Sequence, residues 1–240
     1  MINLKNLKLI FGLIYLTILL ISLYFLFSVI DFKDFTSYQF IKTNKDIILK
    51  YKSENFFLLT TIFFIFTIFW MLLLGILTPL LLFSGFVFGK WWGLIIILIS
   101  TTIGSTLVYL LATFFLRDFI EEKLAPKFSR LKEFFNKNDI LYFMCFRFAG
   151  GLGTPNPIQN VLPVLFNMKV KNYFVATFLG NMAPMFVAIA LGDGIEKVID
   201  QNKELTFLTV LFSPEIYIPI ILMIVTMFIA FLIRKFYLKQ

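Results

Sequence analysis

The chain has 240 residues, of which 60% are hydrophobic, 33 are Phe and only 15% are charged. Soluble domains usually carry about 25% charged residues, and a soluble fold of this length could not bury so much apolar surface. With no His and a single cysteine, Cys145, imidazole catalysis, His-ligated metals and an internal disulfide framework are excluded. The net charge of +8 is better explained by membrane orientation than by nucleic-acid binding. The composition therefore predicts an integral membrane protein.

The first apolar segment, Leu9–Ile30, has no charge over 22 residues. That is about the length needed to cross the hydrocarbon core. Because the run is long and no A-x-A-like cleavage site follows, we predict an uncleaved transmembrane helix that starts in the cytoplasm, after Lys5 and Lys8. The polar segment Asp31–Asn55 is either a short interfacial helix or a solvated loop. Residues 1–55 thus form one N-terminal unit.

The segment Phe56–Leu116 has Lys90 as its only charge and is too long for one helix. Proline and glycine interrupt it, which predicts apolar helices around a broken centre from Leu77 to Gly93. A full span, Leu94–Leu116, is expected to follow. The interrupting residues are Pro79, Gly85, Gly89 and Gly93.

The charged segment Arg117–Asp139 holds six basic and five acidic residues. Its apolar positions recur at spacings near three and four, which predicts an amphipathic helix on the membrane surface, with a cytosolic helical connector as the alternative. The next segment, Ile140–Met168, is again apolar, but Gly150–Pro157 cannot be continuous helix. We predict two further spans, Phe174–Gly192 and Ile216–Ile233. A solvated loop that begins at Asp193 is expected between them.

Two apolar segments are therefore broken in the middle, and broken backbone at membrane depth needs protein or a watery cavity around it. We predict an all-α, polytopic helical membrane protein with two re-entrant hairpins in an inverted repeat. Such repeats place a binding site near the midplane, at the hairpin tips. The expected cytoplasmic segments carry 13 Lys/Arg against 8 outside, which favours two cytoplasmic termini. The repeat would occupy residues 56–200, and residues 201–240 would add an outer loop and the last span.

Arg147 is the strongest candidate for a functional side chain. It follows Asp139 by eight residues, or about 12 Å along a helix. An arginine near the bilayer centre costs on the order of 3 kcal/mol, so it should face the protein interior or a cavity. Its forked hydrogen bonds suit phosphate. It could therefore bind an anionic headgroup, or instead cap unwound carbonyls of its own hairpin.

Polar residues of the second broken centre are the next signal. Uncharged amides in an apolar segment need partners, so they either bind a polar group of a ligand or tie the two hairpin tips together. The candidate substrate-binding residues are Arg147, Thr154, Pro155, Asn156, Pro157, Gln159 and Asn160. No nucleophile with a base, no carboxylate pair and no metal cluster is evident. We therefore expect neither an enzyme nor a cofactor.

Residues 56–200 resemble the DedA/VTT-domain membrane proteins, also called the SNARE-associated Golgi protein family. The matching positions are Pro79, Gly85, Gly89, Gly93, Gly104 and Tyr109, then Arg147–Phe148, Pro155–Asn160, Asn172–Phe174, Thr177, Gly180 and Pro184. The glycines and prolines among them are expected to be structural, with Gly104 allowing close helix packing and Pro184 a kink. The resemblance implies two opposed re-entrant hairpins, with Arg147 as the phosphate-binding arginine.

Bacterial members of that family are associated with undecaprenyl-phosphate translocation and dependence on the proton-motive force, and eukaryotic relatives act as phospholipid scramblases. The resemblance thus implies a lipid translocase or scramblase for a phosphate-bearing lipid, here in a bacterial inner membrane. Many members carry an acidic residue in the first hairpin, but no Asp or Glu lies between Asn55 and Arg117, which favours passive exchange over pumping. A secondary transporter of a small anion and a non-transport scaffold are the alternatives. Membrane lipids are the expected partners.

Overall fold

The computed structural model describes residues 50–124 and 137–200 continuously, with scattered further positions at 12–47, 132–135 and 214–221. The predicted first and last spans, Leu9–Ile30 and Ile216–Ile233, fall largely outside the described residues. The same holds for much of the charged segment after residue 124 and for the loop after residue 200. Those elements stay predictions.

Every regular element in the described part of the chain is a helix. Three of these helices are long and apolar enough to cross a bilayer: Phe56–Leu73, Thr78–Phe119 and Val170–Gly194. Apolar side chains cover them on almost all sides, as expected for helices whose solvent is lipid. The predicted class, an all-α polytopic membrane protein, is confirmed.

The first half of the fold contains helix α1, Phe56–Leu73, and helix α2, Thr78–Phe119. Gly89 interrupts α2 with φ 73° and ψ 171°, a conformation that glycine adopts readily. Ser84 Oγ donates a hydrogen bond to the Gly93 carbonyl at 3.1 Å, whereas nine residues of continuous helix would separate them by about 13 Å. The chain therefore reverses at Gly89, and residues 78–88 form a first short arm.

The first short arm also folds back on α1. The Phe63 ring lies 5.5 Å from that of Phe83 and 5.4 Å from that of Phe88. Residues 74–77 link the two helices and are called the first tip. The part of α2 after Gly89 then runs beside α1, where a Cβ at Gly104 would lie 2.6 Å from Met71 Cβ. The missing side chain at Gly104 therefore lets α2 pack closely on α1.

The second half begins with helix α3, Asp139–Phe148. After a second tip, residues 149–155, the chain forms helix α4, Asn156–Val161, and a 3₁₀ turn, Leu162–Phe166. We call residues 156–166 the second short arm. It returns along α3, and the long helix α5, Val170–Asp200, follows.

The two halves repeat the same plan. Each short arm has a proline at its second position, Pro79 or Pro157, and a residue with positive φ, Gly89 or Asn167, ten positions later. The long helices α2 and α5 run antiparallel, because Thr101 contacts Met185 while Tyr109 stacks on Tyr173. The halves therefore point in opposite directions, as an inverted repeat requires. That the hairpins are re-entrant in a bilayer stays a prediction.

The predicted broken centre of the first half was too broad. Residues 78–88 are helical, and Pro79 lies at the second helical position, where no backbone donor is needed. Gly85 and Gly93 are helical as well and serve close packing: a Cβ at Gly85 would overlap the Ile189 carbonyl oxygen, and one at Gly93 would lie 2.9 Å from the Ser84 carbonyl oxygen. Only the first tip and Gly89 interrupt the helix.

The predicted solvated loop at Asp193 is wrong. Helix α5 continues to Asp200, and Asp193 is only 7% exposed. The first short arm packs on this stretch of α5, where a Cβ at Gly192 would overlap the Leu82 carbonyl oxygen. Packing against that arm extends the helix beyond its apolar run and covers the aspartate.

Candidate functional site

Arg147 lies in the last turn of α3, beside the second tip, and is 1% exposed. Its Nη1 donates hydrogen bonds to Asn156 Oδ1 at 2.9 Å and to Gln159 Oε1 at 3.0 Å. Its Nη2 donates to Asn160 Oδ1 and to Tyr173 Oη, the latter at 2.9 Å. All four acceptors are side-chain oxygens, which contradicts the alternative that Arg147 caps carbonyls of its own hairpin. We call Arg147 and these four residues the arginine cage.

The arginine cage is electrically unbalanced. Each of the four hydrogen-bond acceptors is a neutral amide or hydroxyl, and none is a carboxylate. The guanidinium also lies over the rings of Phe143, at 4.9 Å from the centroid, and Tyr173, at 5.8 Å. Such contacts stabilise a cation modestly, but they do not neutralise it. Among the described residues, no carboxylate bonds to the guanidinium. A buried cation without a counterion is costly, so this part of the structure is suited to receiving an anion.

Two donors inside the arginine cage have no hydrogen-bond partner: Arg147 Nε and Asn160 Nδ2. Asn160 is 0% exposed, so water does not replace the missing partner at the surface. An unpaired buried donor costs about 1–3 kcal/mol. These donors are free for a ligand acceptor within the cage.

Helix packing positions the arginine cage from both halves. Tyr173 Oη lies 3.2 Å from the Ser105 carbonyl of α2, and its ring stacks on that of Tyr109 at 4.5 Å. Tyr109 in turn donates to the Met168 carbonyl. A Cβ at Gly180 would lie 2.6 Å from both Arg147 Cβ and the Met144 carbonyl oxygen, so this glycine brings α3 directly against α5. The guanidinium is thus held by three packed helices.

Asn156 joins the two hairpin tips. Its Oδ1 accepts from Arg147, and its Nδ2 donates to the Gly75 carbonyl in the first tip at 3.1 Å. Trp70 closes the first tip by donating from Nε1 to the Ile76 carbonyl at 2.6 Å. The structure therefore shows a tie between the two hairpins at this side chain, while binding of a ligand's polar group by the amides stays a prediction.

The remaining predicted site residues shape the second tip. Thr154 Oγ1 donates to the Gly151 carbonyl at 2.6 Å, so its hydroxyl serves its own turn. Gln159 Nε2 donates to the Thr154 carbonyl at 2.7 Å, and its side chain covers Gly151. Pro155 precedes the first residue of α4, and Pro157 abuts the first tip at Gly75. Of the seven candidates, four lie in the cage and three build the turn around it.

Sequence reasoning missed three contributors to the site. Tyr173 was noticed only as part of a family motif, and the Phe143 ring and the Gly75 carbonyl were not noticed at all. A tyrosine at the start of an apolar span was an available signal, since a buried hydroxyl needs a polar partner. The other two had no signal, because one is a common apolar residue and the other acts through its backbone. Among the described residues, no group of three or more Cys, Asp and Glu could hold a metal.

Three antiparallel helical elements per half, two broken hairpins and a buried polar cage define this chain as a polytopic membrane protein with an internal repeat. The VTT domain profile matches residues 75–194, half of the chain. The chain therefore belongs to the VTT-domain family, as the sequence motifs predicted.

Among curated proteins, the chain is similar to "Transmembrane protein 41B" of Mus musculus, at 26% identity over 53% of this chain and 44% of that protein. It is similar to the "Transmembrane protein 41 homolog" of Dictyostelium discoideum, at 24% identity over 70% of this chain and 49% of that protein. The protein of the same name from Caenorhabditis elegans shares 23% identity over 48% of this chain and 47% of its own length. The chain thus spans less than half the length of these relatives. No solved structure matches.

Proposed function

We propose that this protein is a membrane lipid translocase or scramblase that moves a phosphate-bearing lipid, such as a phospholipid or a polyprenyl phosphate, between leaflets. The observation that carries the proposal is the guanidinium of Arg147, which bonds to no carboxylate in the described part of the chain and is buried where a broken hairpin meets its inverted partner. Membership of the VTT-domain family supports it. The role requires binding and release of a headgroup and no covalent chemistry, so we do not propose an enzyme.

In the structure, the amide oxygens of the arginine cage hold the guanidinium in place. A phosphate offers stronger, charged acceptors in a geometry that fits the guanidinium fork. The headgroup oxygens would therefore replace neutral amide oxygens, and the bound phosphate would supply the missing counter-charge. Because the amides remain after the lipid leaves, the arginine is never exposed unpaired to the apolar surroundings, and binding stays reversible.

The proposal includes an orientation. If both termini face the cytoplasm, α3 enters the membrane from the cytoplasmic side and Arg147 lies about 12 Å along it. The basic excess of the expected cytoplasmic segments supports this orientation. A bacterial inner membrane is the corresponding proposed location. Without an acidic residue between Asn55 and Arg117, passive exchange is proposed rather than proton-driven pumping.

The test is lipid flipping in proteoliposomes that contain a fluorescent phospholipid or a polyprenyl phosphate. Arg147→Gln is expected to slow flipping roughly tenfold or more, because charge-assisted hydrogen bonds of about 1.5–3 kcal/mol are lost. Arg147→Lys keeps the positive charge but loses the paired donors of the guanidinium, so we expect a flipping rate between those of wild type and Arg147→Gln. Lys169→Gln is the matched control, since Lys169 is exposed and lies outside the cage. Monodisperse Arg147→Gln protein that flips at the wild-type rate would overturn the proposal.

A small-anion transporter is the second candidate, and the enclosure of Arg147 favours it, because a free anion brings no acyl chains into the interior. The chemistry of the two substrates at the guanidinium is the same. Gradient-driven uptake of labelled inorganic phosphate, with no lipid flipping, would select this candidate. Flipping without such uptake would select the lipid translocase.

A further inference from the structure

The Asn160 side chain has a fixed orientation. Its Oδ1 accepts from Arg147 Nη2 and also lies 3.1 Å from Tyr173 Oη. A guanidinium has donors and no acceptors, so a flipped amide would set an NH₂ group against it. The oxygen therefore accepts from Arg147, and the NH₂ group is not hydrogen-bonded to it. That NH₂ group has no partner, although the residue is completely buried.

Arg147 Nε is the other unpartnered donor of the arginine cage. In a guanidinium, the Nε–H lies on the same edge as Nη2, and Nη2 is the nitrogen that contacts Asn160. Two unused donors therefore belong to two side chains that already touch at Nη2. Both are buried in the same network, and a single acceptor-rich group could use both.

We infer that Asn160 is a binding residue of the same site, whose Nδ2 amide donates to the headgroup phosphate alongside Arg147. This inference rests on the proposed function. It makes Asn160 different from Asn156 and Gln159, whose NH₂ groups are already bound to the carbonyls of Gly75 and Thr154. Asn160 alone among the three cage amides has its donor free.

A neutral amide at position 160 is required for this role. Aspartate has nearly the same shape, but it would place a carboxylate beside the guanidinium and remove both amide donors. The arginine would then hold a permanent internal counterion, and a phosphate approaching it would meet a negative charge. The same change would improve the stability of the empty protein, because it pairs a buried cation and removes an unsatisfied donor.

The experiment compares Asn160→Asp with wild type in two measurements: the thermal unfolding midpoint in detergent, and flipping of a fluorescent phospholipid in proteoliposomes. We expect the variant to have a higher unfolding midpoint than wild type. We expect its flipping rate to be lower by roughly tenfold or more, because one charge-assisted hydrogen bond to the phosphate is lost and the new carboxylate repels the phosphate. The matched control is Asn167→Asp, the same chemical change at an exposed residue outside the cage. It is expected to leave the flipping rate unchanged.

A structural role for Asn160 predicts the opposite pattern. If Asn160→Asp misfolds or unfolds at a lower temperature, its loss of flipping reports damage and the inference is overturned. Wild-type flipping in the stabilised variant overturns it as well. Arg147→Gln, measured in parallel, distinguishes failure of the proposed function from failure of the role of Asn160 alone. If that variant loses flipping while Asn160→Asp retains it, the proposed function stands and only the role of Asn160 fails.

Discussion

A disulfide between the first tip and the start of the second short arm is expected to stop the proposed lipid flipping until it is reduced. A Cβ at Gly75 would lie 3.7 Å from Pro157 Cβ, within the range of about 3.5–4.5 Å found in disulfides. The double variant Gly75→Cys, Pro157→Cys should therefore cross-link the tips in their present arrangement. Arg147 is 1% exposed, and its partner Asn156 is hydrogen-bonded to Gly75 in the first tip. We therefore expect a headgroup to reach the arginine only after the tips separate.

The experiment is a flipping assay in proteoliposomes before and after oxidation, and again after addition of a reductant. It is done in a Cys145→Ser background, since the native thiol is exposed. Each single cysteine variant serves as a control and should not respond to oxidant. Gly75 has φ +65°, so its cysteine costs about 1–2 kcal/mol of strain, which the single variant measures separately. A fully cross-linked protein that flips lipid at the reduced protein's rate would contradict the requirement for tip separation.

Gly85→Ala is expected to destabilise the fold more than an alanine at any of the other glycines described above. A Cβ at this position would overlap the Ile189 carbonyl oxygen and lie 2.9 Å from the Asp193 backbone nitrogen. Both are backbone atoms of α5, so no side chain can rotate away, and the first short arm must separate from the helix. Overpacking costs typically about 1–3 kcal/mol, and we expect about 3 kcal/mol or more here because backbone must move.

The unfolding midpoint in detergent, followed by the fluorescence of the three tryptophans, measures this effect. Gly12→Ala is the matched control: among the described residues, a Cβ there would meet only Phe115 Cδ1, at 3.9 Å, which is ordinary contact. We expect the control midpoint to equal that of wild type and the Gly85→Ala midpoint to lie several degrees lower. Equal midpoints for both variants would mean that the short arm does not pack on α5 as closely as described.

The site was partly predictable because its central residue breaks a strong rule. An arginine in an apolar segment needs polar partners, and the amide side chains that follow it within 13 residues can supply them. The tie between the tips was predicted as an alternative, and Asn156 forms it with Gly75. Tyr173 lies 26 positions after Arg147, across two chain reversals. No periodicity in the chain relates residues at such a separation.

The breaks in the hairpins were harder to place than the hairpins themselves. Proline and glycine at several positions predicted irregular backbone throughout residues 77–93, but Pro79 starts a helix, and Gly85 and Gly93 allow helices to touch. A glycine in a sequence does not reveal whether it is needed for positive φ or for the absence of a side chain. Only the neighbouring helix distinguishes the two uses. Asp193 illustrates the same limit, since its burial depends on the first short arm, more than 100 residues earlier in the chain.

The sequence by itself determined that this protein lies in a lipid membrane, that it is helical and that two of its apolar segments are interrupted. It also determined that Arg147 must be shielded from lipid. These properties depend on composition and on local backbone preference, which each segment carries wherever it lies. The tertiary structure decided which oxygens surround the guanidinium, which amide keeps its donors free and which glycines are contact points. Those properties depend on side chains brought together from distant parts of the chain, and their partners exist only once the two halves have packed against each other.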